Sequence, residues 1–251
     1  MVRLPATVHR VLRTLTWTVT DFHKTPRRRA ALALLLGGLV AYSLVFRLYQ
    51  VNTTFWLFAD QIRDWGLVGQ PLAAMPGRGT PRVDHGYSFG PVFYYVLWTI
   101  RRTVGALCEA LPHSGAYGLA ALHALGEAVL LYGMLHLRMG LGMACVVALS
   151  LASAAPEAAL SGTIWNPNLS VAFALGALGL LCMEAPRSRL GLGATLLCAM
   201  GALHCHTPTL FLAAPVGAAA YLGHGRGGSQ RPWRVGAVIV LGTVAAAQLP
   251  Y

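Results

Sequence analysis

The run from Ala30 to Leu48, AALALLLGGLVAYSLVFRL, decides the fold. It is close to the roughly 20 apolar residues that a helix needs to cross the hydrocarbon core of a bilayer. Directly before it stands Lys24-Thr25-Pro26-Arg27-Arg28-Arg29. Basic flanks are retained on the cytoplasmic side, so this span is expected to run from inside to outside. Further apolar runs follow at Tyr117–Leu137, Gly140–Leu160, Leu169–Met183, Leu190–His204, Thr207–Leu222 and Val235–Leu249. An additional one, Gly90 to about Leu111, is interrupted by Arg101-Arg102, a pair that is expensive at mid-bilayer.

Composition agrees with a membrane protein. The 251 residues are 56% hydrophobic and only 11% charged. A soluble domain carries about 25% charged residues, and less than half of that leaves too little polar surface to coat a body in water. The net charge is +11, but the arginines form short clusters between apolar runs, as in cytoplasmic loops, which disfavours nucleic acid as a partner. Cys108, Cys145, Cys182, Cys198 and Cys205 make no CxxC pair and lie mostly in apolar runs, so neither a structural disulfide nor a zinc site is expected. Residues 1–29 form a basic segment without a signal-peptide cleavage pattern. Val8, Val11, Leu12, Leu15 and Val19 are spaced to make one face of a short helix on the inner leaflet.

Charge parity fixes the remaining topology. If Gly90–Leu111 crossed the membrane, Arg138, Arg187, Arg189, Arg226, Arg231 and Arg234 would all fall outside. Keeping that segment on the outer side, as a juxtamembrane or re-entrant helix, returns every one of these loops to the cytoplasm. The predicted fold is therefore an all-α polytopic transmembrane bundle of about seven spans with a cytoplasmic N-terminus. Residues 1–29 are the basic cytoplasmic segment, 30–251 the transmembrane domain, and about 49–114 a long first outer loop. The last span reaches the outside as the sequence stops at Tyr251, so the chain is expected to be part of a longer protein.

The outer face collects the chemistry. Of eight acids, Asp60, Asp64, Asp84, Glu109 and Glu157 fall on or near it. Asp60 follows the apolar run Phe55–Ala59 and is spaced i, i+4 from Asp64, with Arg63 the local cation. Two readings stand. The carboxylates either share a face, with one pKa raised or a cation held, or Asp60 simply caps a helix over Gln61–Val68. Gly90-Pro91 with Phe93-Tyr94-Tyr95 predicts an interfacial helix. Trp165-Asn166-Pro167-Asn168 predicts a capped turn. His204-Cys205-His206 puts two histidines at i, i+2, which do not share a helical face, so metal binding there is disfavoured. His123 and Glu127 sit i, i+4 inside a span and predict helix-to-helix hydrogen bonds.

In this order the pieces resemble the integral-membrane GT-C glycosyltransferases, in the branch of the protein O-mannosyltransferases and aminoarabinose transferases. The matching elements are Ala59-Asp60-Gln61-Ile62-Arg63-Asp64, then Gly90-Pro91 with Phe93-Tyr94-Tyr95, then Pro156-Glu157 with Trp165-Asn166-Pro167-Asn168, then the histidine-bearing break at His204–Pro208. The resemblance implies inverting transfer of a sugar from a polyprenyl-phosphate carrier to a lipid, glycan or protein acceptor on the non-cytoplasmic face of a bacterial inner membrane. It implies Asp60 as general base. Asp64, Arg63, Arg82, His85, Tyr94, Tyr95, Arg101, Arg102, Glu157, Asn166, Asn168, His204 and His206 are the substrate-binding candidates, with no metal and no cofactor. Family members are usually longer than this chain. Some carry an acid in the outer turn where this chain has Asn166 and Asn168, so that a second carboxylate would have to come from Glu157. The alternative is a non-catalytic polytopic membrane protein, transporter-like or a degenerate transferase fragment. The two halves of the chain show no internal repeat of the kind common in transporters.

Overall fold

The computed structural model describes residues 14–77, 91–108, 111–154, 163–183 and 188–206. Among them are eight α-helices and no strand. They are α1 (Val19–His23), α2 (Pro26–Thr54), α3 (Ala59–Leu67), α4 (Val92–Leu107), α5 (Pro112–His136), α6 (Leu141–Ala152), α7 (Asn166–Cys182) and α8 (Arg189–Cys205), with a 3-10 turn at Leu72–Ala74.

Local chemistry sets the boundaries. Thr25 caps α2, its hydroxyl accepting the Arg28 N–H at 3.3 Å, and Pro26 fills the first position, where no N–H is needed. Pro167 plays the same part in the first turn of α7. At the end of α5, Met139 N–H bonds the Met134 carbonyl at 3.2 Å and Arg138 adopts a left-handed φ of 63°. This is the Schellman closure, here with an arginine where glycine is usual. Gly140, at φ 78°, then passes the Leu15 carbonyl closely, and the chain turns back into α6.

Among the described residues only α2 and α5 are both long and apolar enough to cross a membrane. At 29 residues α2 is about 44 Å long. Leu34 and Val45 on it are 77% and 70% exposed. Val146 on α6 and Leu197 on α8 are also more than half exposed. By contrast α5 is mostly buried and packs against α2, α4, α6 and α7.

Pairings along the bundle give the helix directions. Arg47 meets Glu127 and Asn52 meets Tyr117, so α2 and α5 are antiparallel. Gly126 lies against Ala172 and Gly133 against Gly179, so α5 and α7 are parallel. Ser170 meets Ala202 and Asn166 meets Cys205, so α7 and α8 are antiparallel. Two apolar clusters fill the ends. One joins Phe22, Leu39, Leu131, Leu135 and Ala148, and the other joins Trp65, Phe93, Leu97, Leu119, Ile164 and Leu169.

Several expectations are corrected. The first span does not stop near Leu48: α2 continues to Thr54, since Arg47 is held inside the bundle instead of marking an edge. The run expected over Gly140–Leu160 is helical only to Ala152, whose carbonyl is taken by the Arg47 guanidinium at 3.2 Å, a cationic cap on the helix end. The amphipathic helix expected through Val19 is broken at Trp17-Thr18, because Thr18 caps a separate α1. A span count of about seven is not established, as α6, α7 and α8 are shorter apolar helices. The runs Thr207–Leu222 and Val235–Leu249 lie outside the described residues, as do residues 1–13.

The close approach of α5 and α7 depends on small residues, as in membrane helix packing. A Cβ at Gly179 would stand 2.6 Å from the Val129 carbonyl, whereas one at Gly193 on α8 meets nothing within 4 Å. Gly179→Ala is expected to destabilise the fold by about 1–3 kcal/mol, while Gly193→Ala is expected to be neutral or stabilising by up to about 1 kcal/mol. Thermal unfolding of the two variants in detergent checks the contrast.

Candidate functional site

After α2 the chain runs extended through Phe55–Phe58, with the Phe55 ring 4.0 Å from that of His113. It then turns into α3. Gln61 reaches back so that its Oε1 accepts the Phe58 N–H at 3.2 Å, which fixes the start of the helix. Asp60 stands in the first turn, where the helix dipole favours a carboxylate. It is exposed, and its Oδ1 accepts the Gln61 N–H at 3.0 Å.

One turn later Asp64 is buried, at 4% exposure. Its Oδ1 accepts three donors: Arg63 Nε at 2.9 Å, Arg63 Nη2 at 2.7 Å and the Tyr94 hydroxyl of α4 at 3.1 Å. Burial pushes the Asp64 carboxyl above the usual carboxylate range, more than the Arg63 and Tyr94 bonds pull it down. Burial, with the adjacent Asp64 charge, also raises the Tyr94 phenol, so it stays protonated and donates. The Arg63 side chain is 43% exposed and keeps part of its guanidinium turned outward.

Next, α4 supplies donors to the far end of α3. Arg101 donates to the Trp65 carbonyl and lies 4.7 Å over the Trp65 ring. Arg102 donates to the Gly69 carbonyl at 3.4 Å and Trp98 Nε1 to the Gln70 carbonyl at 3.1 Å. Carbonyls left open at a helix end attract cations, so these contacts dock α3 on α4. The Trp65 ring in turn packs on Gly115 of α5, beside Ile164.

Asp60, Arg63, Asp64, Tyr94, Arg101 and Arg102 are thus drawn to one end of the bundle. Tyr95 points away on the other face of α4, 40% exposed, and lines an open apolar groove of about 440 Å³ with Val92, Val96, Ile100 and Leu122. Asn166, Asn168, His204 and His206 gather separately at the junction of α7 and α8. Asn166 Nδ2 donates to the Cys205 carbonyl at 2.8 Å, and Asn168 Nδ2 to the Thr163 carbonyl at 3.0 Å. His204 lies half-buried in the last turn of α8, and His206 caps the helix after Cys205. Arg82, His85 and Glu157 lie outside the described residues. Among the described residues no group of three His, Cys, Asp or Glu side chains is placed to hold a metal.

His123 and Glu127 do make interhelical contacts, but with different helices. His123 Nε2 lies 2.6 Å from the Asn168 carbonyl of α7, and Glu127 pairs with Arg47 of α2 at 2.7 Å. Arg47 is the principal residue that sequence inspection passes over. Its signal is an arginine within a span, and such residues are seldom without a partner. Gln61 and Trp65 are also absent from the sequence candidates, and neither carries a distinguishing pattern. No known protein family, curated protein or solved structure matches the chain.

A carboxyl with a raised pKa binds its proton more tightly in the folded than in the unfolded chain. Stability should therefore fall as pH rises from 3.8, the ordinary value, through the raised one. Asp64→Asn removes that slope. Thermal midpoints measured across this range should shift in the variant's favour as pH rises, and parallel curves would contradict the burial argument.

Proposed function

We propose that the chain is a membrane-embedded transferase that moves a sugar from a polyprenyl-phosphate donor to an acceptor hydroxyl on the non-cytoplasmic face, with Asp60 as base. The bundle sits in the membrane with about seven spans, its N-terminus cytoplasmic. Exposed apolar side chains along α2, α6 and α8 support that setting. The antiparallel pairing of α2 with α5 supports α4 staying on the outer side: a crossing α4 between them would leave α2 and α5 parallel. In addition, α4 has only 16 residues, with Phe93, Tyr94, Leu97 and Ile100 buried and Tyr95, Thr99, Arg102 and Thr103 exposed, the character of an interfacial helix.

The observation that carries the functional proposal is an exposed carboxylate, Asp60, one helical turn from an Arg63 guanidinium that the buried Asp64 and Tyr94 hold in place. Asp60 takes the proton of the acceptor hydroxyl as that oxygen attacks the anomeric carbon. The bond from that carbon to the phosphate oxygen breaks with inversion, and polyprenyl phosphate leaves. Arg63 offsets the charge that develops on the leaving phosphate. Asp64 is a positioning residue for Arg63.

A non-catalytic membrane protein is favoured by a different observation: Arg101 and Arg102 are engaged with the backbone carbonyls of Trp65 in α3 and Gly69 just after it, which leaves fewer cations for a phosphate.

The test is release of polyprenyl phosphate from a panel of labelled polyprenyl-phosphate hexoses and pentoses by the full chain in membranes. Release is expected from at least one donor, with Asp60→Asn losing about 100-fold or more at unchanged membrane content. Undiminished release by Asp60→Asn, or no release from any donor by the unmodified chain, overturns the proposal.

A further inference from the structure

The end of the bundle opposite Asp60 carries a surface that the transfer proposal does not use. Three separate segments bring cations there: Lys24 after α1, Arg27 and Arg29 at the start of α2, and Arg138 after α5. The contact of Leu15 with Gly140 and Gly142, and that of His23 with Tyr132, hold these segments together.

Arg28 is committed inward. Its guanidinium lies 4.5 Å over the Trp17 ring and donates to the Asp21 carbonyl at 3.3 Å. That clamp fixes α1 against the start of α2 and leaves Arg27 and Arg29 turned outward. Both are exposed, and neither forms an ion pair or side-chain hydrogen bond among the described residues. The acid at this end, Asp21, is already taken by Lys24 at 2.6 Å and by the Thr18 hydroxyl and N–H at 3.1 and 3.0 Å. The positive end of the α2 dipole adds to the field instead of offsetting it.

Arg138 gives an independent indication. It holds a left-handed φ of 63° that costs a side-chain-bearing residue about 1–2 kcal/mol and glycine nothing. A strained cation kept at an exposed position points to a use for its charge. Apolar side chains flank it: Leu137 is 50% exposed, Met139 43% and Leu15 44%. A free anion or a nucleic acid has no use for that apolar rim. A phospholipid has a phosphate for the cations and acyl chains for the rim.

We propose that this face binds anionic phospholipid headgroups of the cytoplasmic leaflet through Arg27, Arg29 and Arg138, with Leu15, Leu137 and Met139 against the acyl region. This rests on the membrane setting proposed above but not on the transferase activity.

The test is native mass spectrometry of the full chain, purified in detergent and offered equimolar phosphatidylglycerol and phosphatidylcholine. Preferential retention of phosphatidylglycerol is expected. Arg27→Gln with Arg29→Gln should weaken it roughly thirty-fold, at about a fivefold loss per cation. Arg138→Gly suits the left-handed turn, so it should keep or raise the thermal midpoint while weakening retention about fivefold. Equal retention of both lipids, or unchanged preference in both variants, overturns the proposal. Displacement of the lipid by millimolar inorganic phosphate also overturns it, in favour of a free-anion site. Carbonate extraction separates the two claims: soluble recovery of the chain sinks the membrane setting itself, whereas a membrane-retained chain without preference sinks only the lipid site.

Discussion

The buried ion pair between Arg47 and Glu127 is the constraint on which the bundle depends. Both side chains are essentially inaccessible, at 0% and 1% exposure, and their N···O distance is 2.7 Å. Taking either charge from water is expensive, and only the partner and further hydrogen bonds offset it. Arg47 collects three such contacts: Glu127 on α5, the Ser43 hydroxyl one turn back at 2.7 Å, and the Ala152 carbonyl at the end of α6. One guanidinium thereby sets the register of α2 on α5 and decides where α6 stops. Together with the Tyr117 to Asn52 hydrogen bond at 2.7 Å it defines the antiparallel relation of α2 and α5, and through it the side of the bundle to which the intervening α3 and α4 belong.

From that register the acidic end follows. Because α5 begins where α2 ends, the Phe55 ring meets His113 and α3 is laid across the N-terminal turn of α5, with Trp65 on Gly115. Arg101 of α4 then satisfies an open carbonyl in the last turn of α3, and Arg102 and Trp98 bond the Gly69 and Gln70 carbonyls in the turn that follows. What remains unburied on this face of α3 includes Asp60 and the outward part of Arg63. The basic end has the complementary construction: Arg28 is used up as a clamp so that its neighbours can face out. Charge is thus sorted along the bundle by the same helix directions that the ion pair and the Tyr117 to Asn52 bond define.

Much of this is legible in the sequence, and the rest fails for physical reasons. Pro91 marks a helix start because a residue without an N–H is best placed there, and α4 begins just after it, whereas α2 begins at Pro26, ahead of the apolar run that opens at Ala30. The expense of Arg101-Arg102 inside an apolar run is also visible, and the segment that carries the pair is a helix of 16 residues, α4. Their partners are not visible, because the backbone carbonyls of Trp65 and Gly69 carry no sequence signature. The i, i+4 spacing of His123 and Glu127 states that they share a face and says nothing about what lies opposite. One of them meets α7 and the other α2. Arg47 is masked by its surroundings, since a hydropathy average over Ala30–Leu48 tolerates one charge. The end of α6 at Ala152 is a tertiary effect of the same arginine. The pairing of Asp64 with Arg63 is local enough to be expected, while its burial under Tyr94 depends on a contact 30 residues away in sequence.

The most direct measurement is a double-mutant cycle on the ion pair. Arg47→Met and Glu127→Met each strand a buried charge, and each should destabilise the folded chain by about 3–5 kcal/mol. The double variant replaces the pair with apolar volume and should recover most of that loss, giving a coupling of about 3 kcal/mol or more. If the two losses simply add, the pair does not hold α2 to α5 and the register assigned to it loses its anchor.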